Sequence, residues 1–301
     1  MEAIVFEQFG GPAVLRLASC EVPQPGPGQV RLRVRAAGLN QLDWKIRNGW
    51  LEQVYPTAFP KIPGIEAAGV VDALGPGVTD LAIGDEVLAL TDTGSYARYA
   101  LATAAVRKPA GLDWATAAAL PVSGETALRV LGALGVKDGE TLLIHGAAGA
   151  VGGIAVQLAA ALGAVVIGTA SPGNHGYLRS LGALPVAYGE GLVERVRALA
   201  PQGVDAVFDA AGAGVLADSV ALRGGTGARI VTIADPAARE LGITFSAGDG
   251  TGAAALAEVA RRAAAGDLRV EVARVYPLAE AAAAQEQSAT GHTRGKLVLE
   301  V

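Results

Sequence analysis

A single cysteine, Cys20, is all the thiol chemistry this sequence holds, so an internal disulfide and a cysteine-cluster metal site are both excluded. Histidine is scarce too: His145, His175 and His292 lie far apart, in regions with other expected roles. Between Glu140 and Arg179 there is no Asp, Glu, Lys or Arg at all. Length and apolarity alone would allow a membrane span there. Six glycines from Gly146 to Gly168 and the polar Gln157 favour a buried parallel core instead, whose strands read as continuous apolar runs. The start, MEAIVFEQFG, lacks the basic region of a secretory signal. Positive charge is not in excess: the net charge is -5, which gives no electrostatic reason to expect nucleic acid or an anionic membrane as partner. These absences point to a soluble cytoplasmic protein, and 301 residues leave room for two domains.

What is present is organised around Thr141–Thr169, TLLIHGAAGAVGGIAVQLAAALGAVVIGT. Thr141–His145 reads as a buried strand, Gly146 to Gly152 as a glycine turn, the run to Leu162 as a helix and Val165–Ile167 as a second strand. Such a βαβ unit brings a pyrophosphate within hydrogen-bonding distance of the N–H groups at the helix start. Gly146, Ala148, Gly149, Ala150, Val151 and Gly152 are therefore candidate cofactor-binding residues. The spacing is G-x-x-G-x-x-G, not G-x-G-x-x-G, and a βαβ unit that binds nothing is the competing reading.

From Met1 to about Lys108 the texture is antiparallel β structure, with short apolar or alternating runs between Gly/Pro turns such as Pro23–Gly28 and Gly75–Gly77. Gln29–Ala37 alternates, with Val30, Leu32 and Val34 on one face and Arg31, Arg33 and Arg35 on the other, as in a half-exposed strand. Glu66–Leu74, Glu86–Leu90 and Ser95–Leu101 read as further strands. After Pro109 helices are expected at Trp114–Ala119 and Val122–Leu134, with Asp113 and Ser123 as caps. From Thr141 onwards strands and helices alternate as far as the strand Arg229–Ile233, which implies an α/β, doubly wound parallel sheet. An alanine-rich helix, Ala253–Ala265, then leads to a tail of two strands and a helix that is expected to return to the N-terminal β domain.

This plan, with specific residues, resembles the medium-chain dehydrogenase/reductase superfamily. Ala36–Gly49 (AAGLNQLDWKIRNG) is similar to the family's A-A-G-x-N-x-x-D-x-x-x-R-x-G. Pro63–Gly69, Val78–Asp80 with Gly84–Val87, Thr126-Ala127, HGAAGAVG and the C-terminal Gly291–Lys296 (GHTRGK) extend the resemblance over nearly the whole chain. Together they resemble the zinc-free quinone oxidoreductase branch, to which zeta-crystallin belongs. The resemblance implies a GroES-like β-rich catalytic domain of residues 1–118 with 266–301, and a Rossmann-type dinucleotide domain of residues 119–265. Alcohol dehydrogenases of the superfamily surround a catalytic zinc with a Cys, a Gly-His-Glu and a further Cys or Asp. Here Asn40 and Asp43 lie in the first region, Ile65 stands where the histidine would precede Glu66, and the four-cysteine zinc lobe is missing. No metal is expected.

In dinucleotide domains an acid about 20 residues past the glycine turn binds the ribose 2′-OH of NAD. Here that region is Gly168-Thr169-Ala170-Ser171, and no carboxylate occurs before Glu190, so nothing repels a 2′-phosphate and NADPH is the expected cofactor. Thr169, Ser171, Asn174 and His175 lie where they can face that phosphate, although helix capping explains Ser171 and Asn174 equally. By resemblance, Tyr188 lies near the same phosphate, and Thr126 near the nicotinamide. Ala211, Ile233, Ala234 and the segment Ile243–Phe245 would form a wall beneath its ring and ribose, and Arg294 and Lys296 of the C-terminal motif are carried over as cofactor contacts. Asn40, Asp43 and Lys45 match the mouth of the nicotinamide pocket and are the catalytic candidates. Lys45 stands where the branch commonly has a tyrosine, and Asp43 is expected to orient Lys45 or a backbone group. Trp44, Tyr55 and Phe59 are candidate substrate contacts, with ordinary packing as the alternative.

The resemblance thus implies a zinc-independent NADPH-dependent oxidoreductase acting on a small molecule, a quinone or similar conjugated carbonyl. Reduction of an enone or enoyl double bond, and a non-catalytic NADPH-binding sensor or structural protein, remain alternatives. A homodimer is expected, paired through Arg229–Ile233 as the last strand of the nucleotide domain.

Overall fold

The computed structural model describes residues 1–248 and 252–301. The chain divides into two compact units, Met1–Val122 with Gly250–Val301, and Ser123–Asp249.

The first unit opens with β1 (Glu2–Val5) antiparallel to β2 (Arg16–Ser19). Its central strand is β3 (Val30–Leu39), followed by the short helix α1 (Gln41–Arg47). Antiparallel pairing then runs from β3 to β4 (Glu66–Leu74), from β4 to β5 (Glu86–Leu90), and from β5 past β6 (Tyr99–Ala102) to β7 (Ala104–Arg107), while β6 pairs with the first half of β3. Helix α2 (Trp114–Ala119) follows, capped by Asp113, whose carboxylate accepts from Thr116 N at 2.8 Å.

The arginine alternation holds only in the first half of β3. Val30, Leu32 and Val34 are buried there, Arg33 and Arg35 are exposed, and Arg31 pairs with Asp72 at 2.9 Å. From Ala36 onwards both faces are covered. Ala36 packs with Ala117–Ala119 of α2, and Ala37 and Leu39 join Ile4, Tyr96 and Leu297 in a second core cluster. The half-exposed strand expected from the pattern is therefore buried along its second half, because small residues let a helix sit on the face the arginines leave.

The second unit begins within α3 (Pro121–Leu134). Ser123 lies inside this helix and is not its cap, since the helix starts at Pro121. There follow β8 (Thr141–His145), α4 (Ala150–Ala161), β9 (Val165–Thr169), α5 (His175–Ser180), β10 (Ala183–Val186), α6 (Leu192–Leu199), β11 (Ala206–Asp209), α7 (Leu216–Leu222), β12 (Ile230–Thr232) and β13 (Thr244–Phe245). The sheet is parallel throughout, in the order β10-β9-β8-β11-β12-β13. Renumbered within the unit this is 3-2-1-4-5-6, the Rossmann order, in which the direction of travel reverses between the first and fourth strands. Leu143, Ile167, Val196, Val207, Leu216 and Ile230 form its buried core, each worth roughly 1.5–3 kcal/mol of apolar burial.

The dimer expectation needs correction on one point. Ile230–Thr232 is not the edge strand, because β13 pairs with it in parallel register, Val231 with Thr244 and Thr232 with Phe245. A strand of two residues is too short to show a period in the sequence.

The tail runs through α8 (Ala253–Ala265), β14 (Val272–Pro277), α9 (Ala281–Ala289) and β15 (Lys296–Glu300), with β15 antiparallel to β3. The return comes earlier than residue 266. Leu256 and Ala260 of α8 pack with Ala36, Ala68 and Leu88, so this helix belongs to the β-rich unit. The architecture is a β-rich GroES-like unit and a Rossmann-type parallel sheet. Among the described residues, no helix is long and apolar enough to cross a membrane.

Candidate active site

The glycine turn leaves the carboxyl end of β8, the strand next to the switch point. Gly146 takes φ +70°, a left-handed conformation that costs glycine little and other residues more. A Cβ on Gly152 would fall 2.3 Å from the Gly146 carbonyl oxygen, so the helix start packs directly on the turn. Helix α4 is capped by Gly149, which has no side chain to satisfy the first turn's N–H groups. A helix start left open in this way fits a pyrophosphate, with Ala148 to Gly152 as the residues that would hold it.

The other candidates of this unit take varied positions. Thr169 is buried and its hydroxyl accepts from Gly146 N at 3.2 Å, so it fixes the glycine turn. Asn174 Nδ2 donates to Ser171 Oγ at 3.2 Å, and neither Ser171 nor Asn174 makes a side-chain cap, so the capping alternative is not the arrangement adopted. His175 opens α5, with Nε2 buried and without a hydrogen-bond partner among the described residues. Tyr188 is exposed, on a loop whose carbonyls at Ala187, Tyr188, Gly189 and Glu190 all accept from Arg195. Thr126 is nearly buried on α3, beside Glu125 and Arg129. Ala211, Ile233 and Ala234 follow the carboxyl ends of β11 and β12, and Phe245 is exposed on β13.

Around those strand ends lie polar side chains that the sequence reading passed over. His145 is fully buried, and burial lowers its pKa to about 4. Ser219 Oγ donates to the Val215 carbonyl, so its remaining contact, 3.0 Å from His145 Nε2, assigns the proton to that nitrogen. Asp209, also fully buried, accepts from Ala211 N at 2.9 Å, Gly212 N at 3.0 Å and Thr232 Oγ1 at 2.7 Å. The signal was an isolated acid closing an apolar run, AVFD.

In the β-rich unit the structure brings Asn40, Asp43 and Lys296 together with Glu66 and Tyr96. Asn40 caps α1 in a reciprocal box with Asp43, which accepts from Asn40 N at 2.9 Å. The same Asp43 oxygen accepts from Tyr96 Oη at 2.8 Å, while Oδ1 is buried without a hydrogen-bond partner among the described residues. Burial raises the Asp43 pKa to about 6 against the hydrogen bonds from Asn40 and Tyr96 that oppose the rise. Lys296 Nζ lies 2.6 Å from Glu66 Oε1 and donates to Asn40 Oδ1 at 2.6 Å. Asn40 Nδ2 donates to Glu66 Oε1 at 2.7 Å, and Val122 N donates to Glu66 Oε2 at 2.7 Å.

Of the two partners expected for Asp43, Lys45 or a backbone group, the structure shows the backbone one, Asn40 N. Lys45 sits 5.6 Å from the Trp44 ring, and burial lowers its pKa. Trp44 is mostly buried, its indole donating to Ser288 Oγ at 3.3 Å and its ring meeting Trp50 edge-on at 5.4 Å. Phe59 is exposed and stacks edge-on with Phe6 and Phe9, and Tyr55 is exposed as well. Trp44 and Phe59 therefore fall in separate ring groupings. Arg294 pairs with Glu271 at 2.8 Å.

This donor set does not fit a zinc ion. Glu66, the one carboxylate of the Pro63–Gly69 motif, already has both oxygens engaged, and the cation among the oxygens is the Lys296 ammonium. Among the described residues no three His, Cys, Asp or Glu side chains are grouped to hold a metal.

Two family models match the chain: an alcohol dehydrogenase GroES-like domain over residues 26–112 and a zinc-binding dehydrogenase over residues 181–299. The quinone oxidoreductase of Coxiella burnetii is 33% identical in sequence, with TM-score 0.89 over 100% of this chain and 99% of that one. The Escherichia coli quinone oxidoreductase complexed with NADPH is 28% identical, with TM-score 0.88 over 100% of both chains. The rat synaptic vesicle membrane protein VAT-1 homolog is 39% identical over 220 residues, which cover 70% of this chain and 54% of that protein. The chain thus spans about half the length of the curated relative it matches there.

Proposed function

Because this chain belongs to the medium-chain dehydrogenase/reductase superfamily, in its quinone oxidoreductase-like branch, we propose that it is a zinc-independent, NADPH-dependent reductase of a quinone or similar conjugated carbonyl. The observation that carries the reading is the open glycine turn at the switch point of the parallel sheet, with no carboxylate after β9 to repel a 2′-phosphate. The E. coli relative solved with NADPH supports the same cofactor. When bound, the nicotinamide supplies the hydride.

The chain's own residues bind, orient and balance charge. Ala148 and Ala150 to Gly152 would present backbone N–H groups to the pyrophosphate, while the Gly149 N–H closes the turn on the Gly146 carbonyl and Thr169 holds Gly146 in place. In the β-rich unit Asn40 is fixed by Lys296 and Glu66, which makes its amide orientation a consequence of the ion pair. Lys45 carries a transferable proton on a half-buried ammonium. A quinone places little demand on it, because the ring stabilises the reduced oxygens and water protonates them. An enone needs a proton delivered to carbon, and Lys45 is the observation that favours this second reading.

Oxidation of NADPH against a panel of quinones, enals and enones, with product identification, tests the proposal. Turnover with a quinone supports it; tight NADPH binding with no turnover on any acceptor contradicts it. Lys45→Met separates the two enzymatic readings. It should lower quinone turnover only modestly, whereas an enone reductase that uses Lys45 as donor should lose on the order of 10²–10⁴-fold.

A further inference from the structure

The Rossmann order places the carboxyl ends of β8 and β11 side by side at the switch point, and the ladder pairs His145 with Asp209 there. A dinucleotide bound in the usual way for this sheet order would lie across this point, its adenosine half toward β8 and β9 and its nicotinamide half toward β11 and β12. The two loops on the nicotinamide side are joined by a buried side-chain contact, beside the backbone bond that Ile233 N donates to the Asp209 carbonyl at 3.1 Å. Asp209 Oδ1 accepts from Ala211 N and Gly212 N, and its Oδ2 accepts from Thr232 Oγ1. Thr232 Oγ1 accepts in turn from Ala234 N and Asp235 N, both at 3.1 Å. Asp209 and Thr232 are both 0% exposed, so neither has water as an alternative partner. The loops also touch directly. Gly212 has φ +64°, and a Cβ there would fall 2.8 Å from both the Ala234 Cβ and its carbonyl oxygen.

We propose that Asp209 and Thr232 are a positioning pair that sets the spacing of the loops bearing Ala211 and Ala234, and through them the seat of the nicotinamide half of the cofactor. This rests on the nucleotide reading given above. The hydroxyl's hydrogen-bonding capacity is full: one proton donated, two lone pairs occupied. Thr232→Val removes all three bonds at once and strands two loop N–H groups and a carboxylate oxygen. Thr232→Ser keeps them. Asp209→Asn turns an amide N–H₂ toward a hydroxyl with no lone pair left to accept from it.

The test compares binding of NADPH, followed by nicotinamide fluorescence, with binding of 2′,5′-ADP, which lacks the nicotinamide half. Thr232→Val and Asp209→Asn should bind NADPH ~tenfold or more weakly, the size expected when buried hydrogen bonds are lost. Both should bind 2′,5′-ADP within about twofold of wild type, and Thr232→Ser should match wild type for both ligands. A folded variant that loses affinity for both ligands equally reports general loosening of the unit and overturns the proposal, as does Thr232→Val with unchanged NADPH affinity. If Thr232→Val does not fold, the contrast between Asp209→Asn and Thr232→Ser decides by the same criteria. Wild-type protein that binds 2′,5′-ADP and no NADPH refutes the proposal alone. Wild-type protein that binds neither refutes the nucleotide reading and this proposal with it.

Discussion

Two buried clusters, one in each unit, satisfy their charge in different ways. In the β-rich unit Lys296 faces Glu66, charge against charge, and Asp43 lies nearby as a second acid facing hydrogen-bond donors, while the buried Arg47 donates to the neutral acceptors of Gly10, Gln285 and Asn48. In the nucleotide unit the buried acid, Asp209, is surrounded by neutral donors, two backbone N–H groups and a hydroxyl, and its ladder neighbour His145 is held uncharged by burial. The first arrangement places an ammonium among carboxylate and amide oxygens. The second ties two loops together with neutral donors alone. A buried ion pair is costly to break from one side, because the remaining charge is left in a low-dielectric interior. A hydrogen-bonded acid fails more gradually, one donor at a time.

The largest expected effect follows from that difference. Lys296→Met leaves Glu66 without its counter-charge and should lower unfolding stability by about 3–5 kcal/mol in denaturant titration. Glu66→Gln added to Lys296→Met should recover much of the loss. No recovery in the double variant would mean that packing of the lysine stem, not charge, is what matters there.

Next come two pH effects of opposite sign. Asp43 has its pKa raised by burial to about 6, so the folded protein holds that proton more tightly than the unfolded chain does. Its contribution is present below the ordinary carboxylate value and is lost as pH rises through about 6, a change on the order of 2–3 kcal/mol. His145 is lowered by burial to about 4, so its contribution is present above the ordinary histidine value and is lost as pH falls toward about 4. Asp43→Asn should flatten the first dependence, and His145→Gln, which keeps a donor toward Ser219, should flatten the second. Stability measured from pH 4 to 7 in both variants checks the signs; slopes changing in the same direction would show that the two clusters are not built on the contrast drawn here.

Much of this was legible in the sequence, and the illegible part has a common cause. The glycine turn, the alternating strands and helices from Thr141 onwards, and the bounds of Glu66–Leu74, Thr141–His145 and Ala253–Ala265 follow from local pattern. Partners distant in sequence do not. Nothing local says that Lys296 meets Asn40, 256 positions away, or that Tyr96 donates to Asp43, 53 positions away. The usable signal was charge out of place: Glu66, Asp209 and Lys296 each stand alone beside apolar residues, where a charge must find a partner or shift its pKa. Helix α1 was missed because its seven residues were read as a motif and not as a turn of helix, although Asn40 and Asp43 have capping-box spacing.

The smallest effect expected concerns cofactor choice. With no acid between Thr169 and Glu190, NADPH should bind more tightly than NADH, and Ser171→Asp, which adds a charge beside the 2′-position, should reverse the order. Equal affinities in wild type by fluorescence titration would remove the charge argument.

The central claim is reduction of a conjugated carbonyl by NADPH with a lysine, not a metal, among the oxygens of the β-rich unit. Its most direct test is NADPH oxidation with a simple benzoquinone before and after exhaustive chelation. The expected result is hydroquinone formation at the same rate in both samples. Activity that disappears on chelation and returns with zinc would contradict the account.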